Sequence, residues 1–220
     1  RGYVDPGMYE TGLGTQKEGG GLAQNGYITL APDYLGYGES DNPPNNVWEE
    51  RFLRAVSIQD LLASVSSLAQ ADASRIGIWG HSNGGMSAFI ALELSGKNYP
   101  TCLWAPVSKF FPYDILYYID EFEDGGKALR KSLAEFEKDY DTEKYSFDNY
   151  LEWIEAPIQL HQGLSDPYIP VSWPDNLVKK LEELEKDITY YTYPGAGHHM
   201  EGVWDMVVER DLEFFGEKLK

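Results

Sequence analysis

Cysteine is nearly absent from this 220-residue chain, where Cys102 stands alone. An internal disulfide and a cysteine-based zinc site are excluded, and a chain without disulfides weighs toward a reducing, cytoplasmic compartment. Cys102 lies in the apolar run Thr101-Cys102-Leu103-Trp104, which predicts a buried small hydrophobe rather than a reactive thiol. Basic residues are scarce as well: 18 Lys and Arg stand against 36 Asp and Glu, a formal charge of −18. A surface that acidic repels phosphate backbones and anionic lipid, so nucleic acid is not an expected partner. No apolar run approaches the roughly 18 residues that a membrane-spanning helix needs. Internal repeats and low-complexity tracts are also missing. What is present is an ordinary globular composition, 42% hydrophobic and 14% aromatic, enough for one domain or two small ones.

Along the chain, strand-like runs alternate with helix-like runs, the pattern of an α/β fold with a mostly parallel sheet. Strands are expected at Tyr27–Ala31, Arg75–Gly80, Pro100–Pro106, Pro157–Gln162 and Ile188–Tyr193. Residues 49–70 carry Phe52, Val56, Leu61, Leu62, Val65 and Leu68 at helical spacing. Asn83–Ser95 is apolar almost all round and stops before Gly96, which predicts a buried helix. Ser172–Lys186 reads as an amphipathic helix capped by Ser172, with Trp173, Leu177, Leu181 and Leu184 inward, and Val203–Phe215 as the last helix. Between the strands, residues 107–150 break the rhythm, since 11 of these 44 residues are aromatic. This segment is expected to form a small helical cap over the sheet, its rings either lining a pocket or fastening the cap to the core.

The strongest chemical signal is Gly80-His81-Ser82-Asn83-Gly84-Gly85, set between a predicted strand and a buried helix. A strand turning sharply into a helix holds the serine in a strained conformation, which small neighbours at Gly80 and Gly84 permit. The Ser82 hydroxyl is thereby lifted off the sheet. The next backbone N–H, that of Asn83, faces any bound carbonyl oxygen at the positive end of the helix.

A serine hydroxyl is a weak nucleophile and needs a base, which needs an orienting carboxylate. There are four histidines. His81 neighbours the serine and is expected to point away from it. His161 lies within a predicted strand and reads as a satisfied structural residue. His198 follows the glycine-rich run Tyr193-Pro194-Gly195-Ala196-Gly197 and is the expected base, with His199 its rival. Asp166, in Gly163-Leu164-Ser165-Asp166-Pro167, lies just past a strand and is the candidate carboxylate, although a turn aspartate has the same local signature. Ser82, Asp166 and His198 follow the order Ser…Asp…His of one hydrolase fold. No metal or cofactor is expected. His198-His199-Met200-Glu201 lacks His-Glu-x-x-His spacing, and Gly19-Gly20-Gly21 lacks the Lys-Ser/Thr of a phosphate loop.

With these residues in place, the chain resembles an α/β-hydrolase, nearest the catalytic domain of the prolyl oligopeptidase (S9) family and its esterase relatives. The resemblance runs over essentially the whole chain. It is carried by Ala31-Pro32-Asp33-Tyr34-Leu35-Gly36-Tyr37-Gly38, the Ser82 motif, His161-Gln162-Gly163-Leu164-Ser165-Asp166-Pro167-Tyr168-Ile169-Pro170 and Tyr193-Pro194-Gly195-Ala196-Gly197-His198. It implies Ser82 as nucleophile, His198 as base, Asp166 as orienting acid, and Tyr3 as a second oxyanion donor beside the Asn83 N–H, through either its backbone N–H or its phenol. Arg1 departs from the histidine usual in that loop. The resemblance also sets Arg1-Gly2 just after a third strand, so further N-terminal strands are expected, either on a separate fragment that completes the sheet or cut from this sequence. The expected activity is hydrolysis of short-acyl carboxylic esters through an acyl-enzyme. The alternative is an S9-type serine peptidase, and a non-catalytic binding module on the same fold is more remote. The partner is then a small-molecule ester or a peptide.

Overall fold

The computed structural model describes residue 2 and residues 4–220. Four strands form one sheet in the order β1 (Ile78–His81), β2 (Thr101–Trp104), β3 (Ile158–Gly163) and β4 (Ile188–Tyr193), every pair parallel. In register, Trp104 lies beside His81 on one side and His161 on the other, and His161 beside Tyr191. β2 and β3 are buried along their whole length, as strands covered on both faces must be. β4 stays half-buried or exposed up to its last residue, as suits the outer strand of the ladder.

Helices connect these strands. α1 (Gln16–Gln24) and α2 (Val47–Ser64) precede the sheet, and α3 (Asn83–Ser95) joins β1 to β2. α4 (Tyr113–Tyr118) and α5 (Lys127–Asp139), with several short 3-10 turns, lie between β2 and β3. α6 (Ser172–Glu183) crosses to β4, and α7 (Trp204–Lys218) closes the chain. Among the described residues no helix is long and apolar enough to cross a membrane.

α3 is buried on nearly every face and ends at Gly96, whose φ of 56° is the left-handed stop that glycine supplies without strain. α2 packs along α3 and starts at Asn46, whose side chain accepts from the Trp48 and Glu49 amides. Phe89, Leu92, Leu103, Trp104, Leu160 and Leu181 form the centre of the core with almost no exposure. Each such side chain contributes about 1.5–3 kcal/mol by leaving water. A second cluster joins Trp48 and Phe52 of α2 to Phe111, Leu133, Phe136 and Tyr145, which fastens the α4–α5 segment to the body.

Several expectations need correction. Tyr27–Ala31 is not a strand, because a strand exists only through its ladder and this segment makes none among the described residues; Ile28 and Leu30 face solvent. Val56 and Leu68 are exposed, and α2 instead buries Trp48 and Ala55. Ser172 is the first helical residue of α6 and caps nothing; Val171 holds the cap position and Leu184 lies outside the core.

Candidate active site

The site begins where β1 stops. Ser82 adopts φ 55° and ψ −121°, a conformation costly for a residue with a β-carbon. Its backbone holds that shape through several bonds at once. The Ser82 N–H donates to the Trp104 carbonyl at 3.0 Å, and the Ser82 carbonyl accepts from the amides of Gly85 and Val107, each at 3.0 Å. Glycine is required on both sides of the turn. A β-carbon on Gly80 would come closer than 3.0 Å to the Gly84 carbonyl oxygen, and one on Gly85 would strike Pro106. The sequence motif alone pointed to Gly80 and Gly84; the need for Gly85 comes from the packing of α3 on the chain after β2. Asn83 opens α3, at the helix end where backbone N–H groups lack intrahelical partners.

Asp166 and His198 come from the loops after β3 and β4. The His198 Nδ1 lies 2.8 Å from Asp166 Oδ2, with both side chains buried. A carboxylate can only accept, so Nδ1 carries the proton and Nε2 is the basic nitrogen. Asp166 Oδ1 accepts from the Tyr168 and Ile169 amides at 2.8 and 2.9 Å, and Gln162 Nε2 donates to Oδ2 at 3.2 Å. Burial pushes the Asp166 pKa up, but the His198 hydrogen bond, the His198 charge and the two amides together outweigh it and hold the carboxyl below its ordinary value. His199, the rival base, is exposed and makes no bond to Asp166.

The two loops cross closely. A β-carbon on Gly163, at the end of β3, would lie closer than 3.0 Å to the carbonyl oxygens of both Ala196 and Gly197. Only glycine lets the strand pass under the histidine loop.

His81 does not simply turn out of the site. Its Nε2 lies 3.0 Å from the His198 carbonyl oxygen, and its ring centre lies 4.6 Å from that of His198. Burial, then the nearby His198, pushes the His81 pKa down to about 3. No hydrogen bond joins the Ser82 hydroxyl to His198 among the described residues; the two are linked through His81. Tyr3 lies outside the described residues. A β-carbon on Gly2, its neighbour, would sit 3.4 Å from Ser82 Cβ and 3.2 Å from His81 Nδ1, so the chain at residue 2 runs against the serine turn.

The aromatic residues of 107–150 divide into two sets. Phe111, Phe136, Tyr145 and Phe147 pack inward. Tyr113 and Tyr117 are half exposed, and Tyr117 lies edge-on to Trp173. Tyr118 donates to the Tyr168 carbonyl at 2.9 Å, and the exposed Tyr168 ring sits edge-on to His198 at 5.2 Å. An aromatic wall thus reaches the imidazole. Tyr168 belongs to the motif around Asp166, in which the sequence alone assigns it no role.

Away from the site, His161 is fully buried and doubly bonded, to Asp211 Oδ1 at 3.0 Å and to the Tyr193 hydroxyl at 2.7 Å. Cys102 is buried, and burial drives its thiol pKa upward, which leaves it unreactive. Among the described residues no group of three or more His, Cys, Asp or Glu could hold a metal ion.

A parallel sheet between helices, with a strained serine turn after β1 and an Asp–His pair on the loops after β3 and β4, is the α/β-hydrolase fold. Residues 18–220 match the prolyl oligopeptidase family, peptidase family S9, and the chain belongs to that family. It is 24% identical over 189 residues to the "Dipeptidyl peptidase family member 6" of Caenorhabditis elegans, covering 80% of this chain and 25% of that protein. It is 24% identical over 185 residues to the "Uncharacterized peptidase YtmA" of Bacillus subtilis (strain 168), covering 81% of this chain and 67% of that one. This chain therefore spans about a quarter of the nematode protein's length and 67% of the bacterial one's. Among solved structures, ferulic-acid-bound Est1E from Butyrivibrio proteoclasticus superposes with a TM-score of 0.68 at 18% identity, covering 99% of this chain and 86% of that chain.

Proposed function

We propose that this chain hydrolyses amide bonds of short peptides through an acyl-enzyme, with Ser82 as nucleophile, His198 as base and Asp166 as the orienting carboxylate. The observation that carries the reading is the 2.8 Å Asp166–His198 bond beside the strained serine turn. In this scheme His198 Nε2 takes the proton of Ser82 Oγ as the oxygen attacks the carbonyl carbon. The Asn83 N–H holds the resulting oxyanion, and we assign Tyr3 the second donor. Collapse of the intermediate breaks the scissile bond, and His198 returns the proton to the leaving amine. Water, deprotonated by the same imidazole, then releases the acyl group. The Ser82–His198 contact tightens as substrate enters, as such contacts commonly do.

The expectation of short-acyl esters yields to peptides here, because family S9 and the two peptidase relatives favour an amide substrate. One observation keeps an ester reading in view. The ferulic-acid-bound structure matches nearly the whole chain, and the exposed rings of Tyr117 and Tyr168 suit a flat aromatic acyl or leaving group.

The test compares dipeptidyl and aminoacyl p-nitroanilides with p-nitrophenyl esters of rising chain length and a feruloyl ester, in wild type and Ser82→Ala. A higher kcat/KM on a p-nitroanilide than on any ester, lost in Ser82→Ala, supports the peptidase reading. Ester turnover without anilide turnover gives the ester reading instead. Full activity in Ser82→Ala rejects both.

A further inference from the structure

We propose that His81, the residue between Gly80 and Ser82, is a positioning residue that ties the base-bearing loop to the serine turn through an Nε2–H bond to the His198 carbonyl. The inference rests on the reading of Ser82 and His198 as nucleophile and base.

The geometry fixes the chemistry of this bond. A carbonyl oxygen only accepts, so at 3.0 Å the His81 Nε2 must carry the hydrogen, and its Nδ1 is left with a lone pair. His81 is neutral, since burial and the neighbouring His198 push its pKa to about 3. A neutral ring adds no charge beside an imidazole that must itself become positive during the reaction. The accepted carbonyl belongs to His198 itself, so the bond acts on the peptide that carries the base. His198 is buried, and a buried carbonyl requires a donor.

His81 also has a second neighbour. Its Nδ1 edge faces the backbone at Gly2, where an added β-carbon would lie 3.2 Å away and only 3.4 Å from Ser82 Cβ. One side chain therefore lies between three segments: the histidine loop, the serine turn and the chain at residue 2. Since Ser82 and His198 share no hydrogen bond of their own, their relative placement depends on this bracket. A shift of about 1 Å between reacting groups costs about a hundredfold in rate.

The experiment separates the N–H bond from simple packing. His81→Phe keeps a ring of similar size but has no donor, and His81→Gln restores an N–H donor on a flexible amide. Thermal unfolding is measured for both, with kcat and KM on the best substrate and the labelling rate with a fluorophosphonate probe. We expect His81→Phe to fold, to lose about tenfold to a hundredfold in kcat and in labelling rate, and to change KM by no more than about twofold. His81→Gln should recover most of the loss. If His81→Phe does not fold, His81→Leu takes its place with the same expectations. Wild-type kcat and labelling in a folded donor-less variant overturns the inference, as does an equal loss in the Gln variant. Ser82→Ala, measured alongside, keeps the two claims apart. Turnover retained there removes the nucleophile assignment and the His81 role with it, whereas an inactive Ser82→Ala beside a fully active His81→Phe removes the His81 role alone.

Discussion

Asp166 and His198, 32 positions apart in sequence, meet at 2.8 Å because Gly163 lets the loop after β4 lie directly on the end of β3. The carboxylate is held by the two amides that follow it and by Gln162, so it offers His198 Nδ1 one fixed oxygen. Orientation of the imidazole is thus built from the backbone upward.

Gly163→Ala tests that crossing. An added methyl would press on the carbonyl oxygens of Ala196 and Gly197, both backbone atoms that cannot rotate away. The expected cost exceeds about 3 kcal/mol, the upper range of ordinary overpacking. Thermal unfolding checks it, and a melting temperature within about 2 °C of wild type contradicts the close crossing.

Asp166→Asn keeps the shape of the carboxylate and removes its charge. An amide can donate to Nδ1 and hold the ring in the wrong tautomer. A fall in kcat of about 10²–10⁴-fold with an intact fold is expected. Steady-state kinetics and circular dichroism together decide it. A change smaller than about threefold would mean that Asp166 does not orient the base.

The sequence made the centre of this arrangement legible because its residues obey local rules. A serine flanked by glycines between an apolar strand and an apolar helix has few folds open to it, and the glycine-rich run before His198 announces a loop at a strand end. Partners reached only through tertiary contact stayed hidden. His81 faces the His198 backbone because two loops converge after β1 and β4, which no spacing records. Asp211, on α7, gives no sign in sequence that it accepts from Trp104, Gln159 and His161 beneath the sheet. The failure at Tyr27–Ala31 has the same origin, since ladder pairing overrides local preference.

Asp211→Ala is expected to destabilise the protein by about 3–5 kcal/mol, because the Trp104 and Gln159 donors and the His161 ring then lose a buried acceptor. Chemical denaturation measures it. A loss below about 1 kcal/mol would show that the network adds nothing beyond packing.

Glu93 carries a stability prediction with a definite sign. It is buried on α3, its Oε1 lacks a partner, and burial followed by the nearby Asp148 pushes its pKa from 4.5 to about 9. Lys180 is engaged with Asp148 at 2.8 Å. The folded protein therefore keeps a proton on Glu93 that the unfolded chain releases. The stability tied to that proton is fully present below pH 4.5 and is lost as pH rises toward about 9. Glu93→Gln removes this slope. Its melting temperature should match wild type near pH 5 and exceed it by on the order of 5 °C near pH 8. Parallel curves across that range contradict an up-shifted Glu93.

The central claim is that Ser82 is an activated nucleophile served by His198, and covalent labelling reads this most directly. Wild-type protein is treated with a fluorophosphonate, and the adduct is located by peptide mass mapping. One adduct per chain on Ser82 is predicted, absent from Ser82→Ala and nearly so from His198→Ala. An unlabelled Ser82, or a labelling rate that survives removal of His198, would contradict the account.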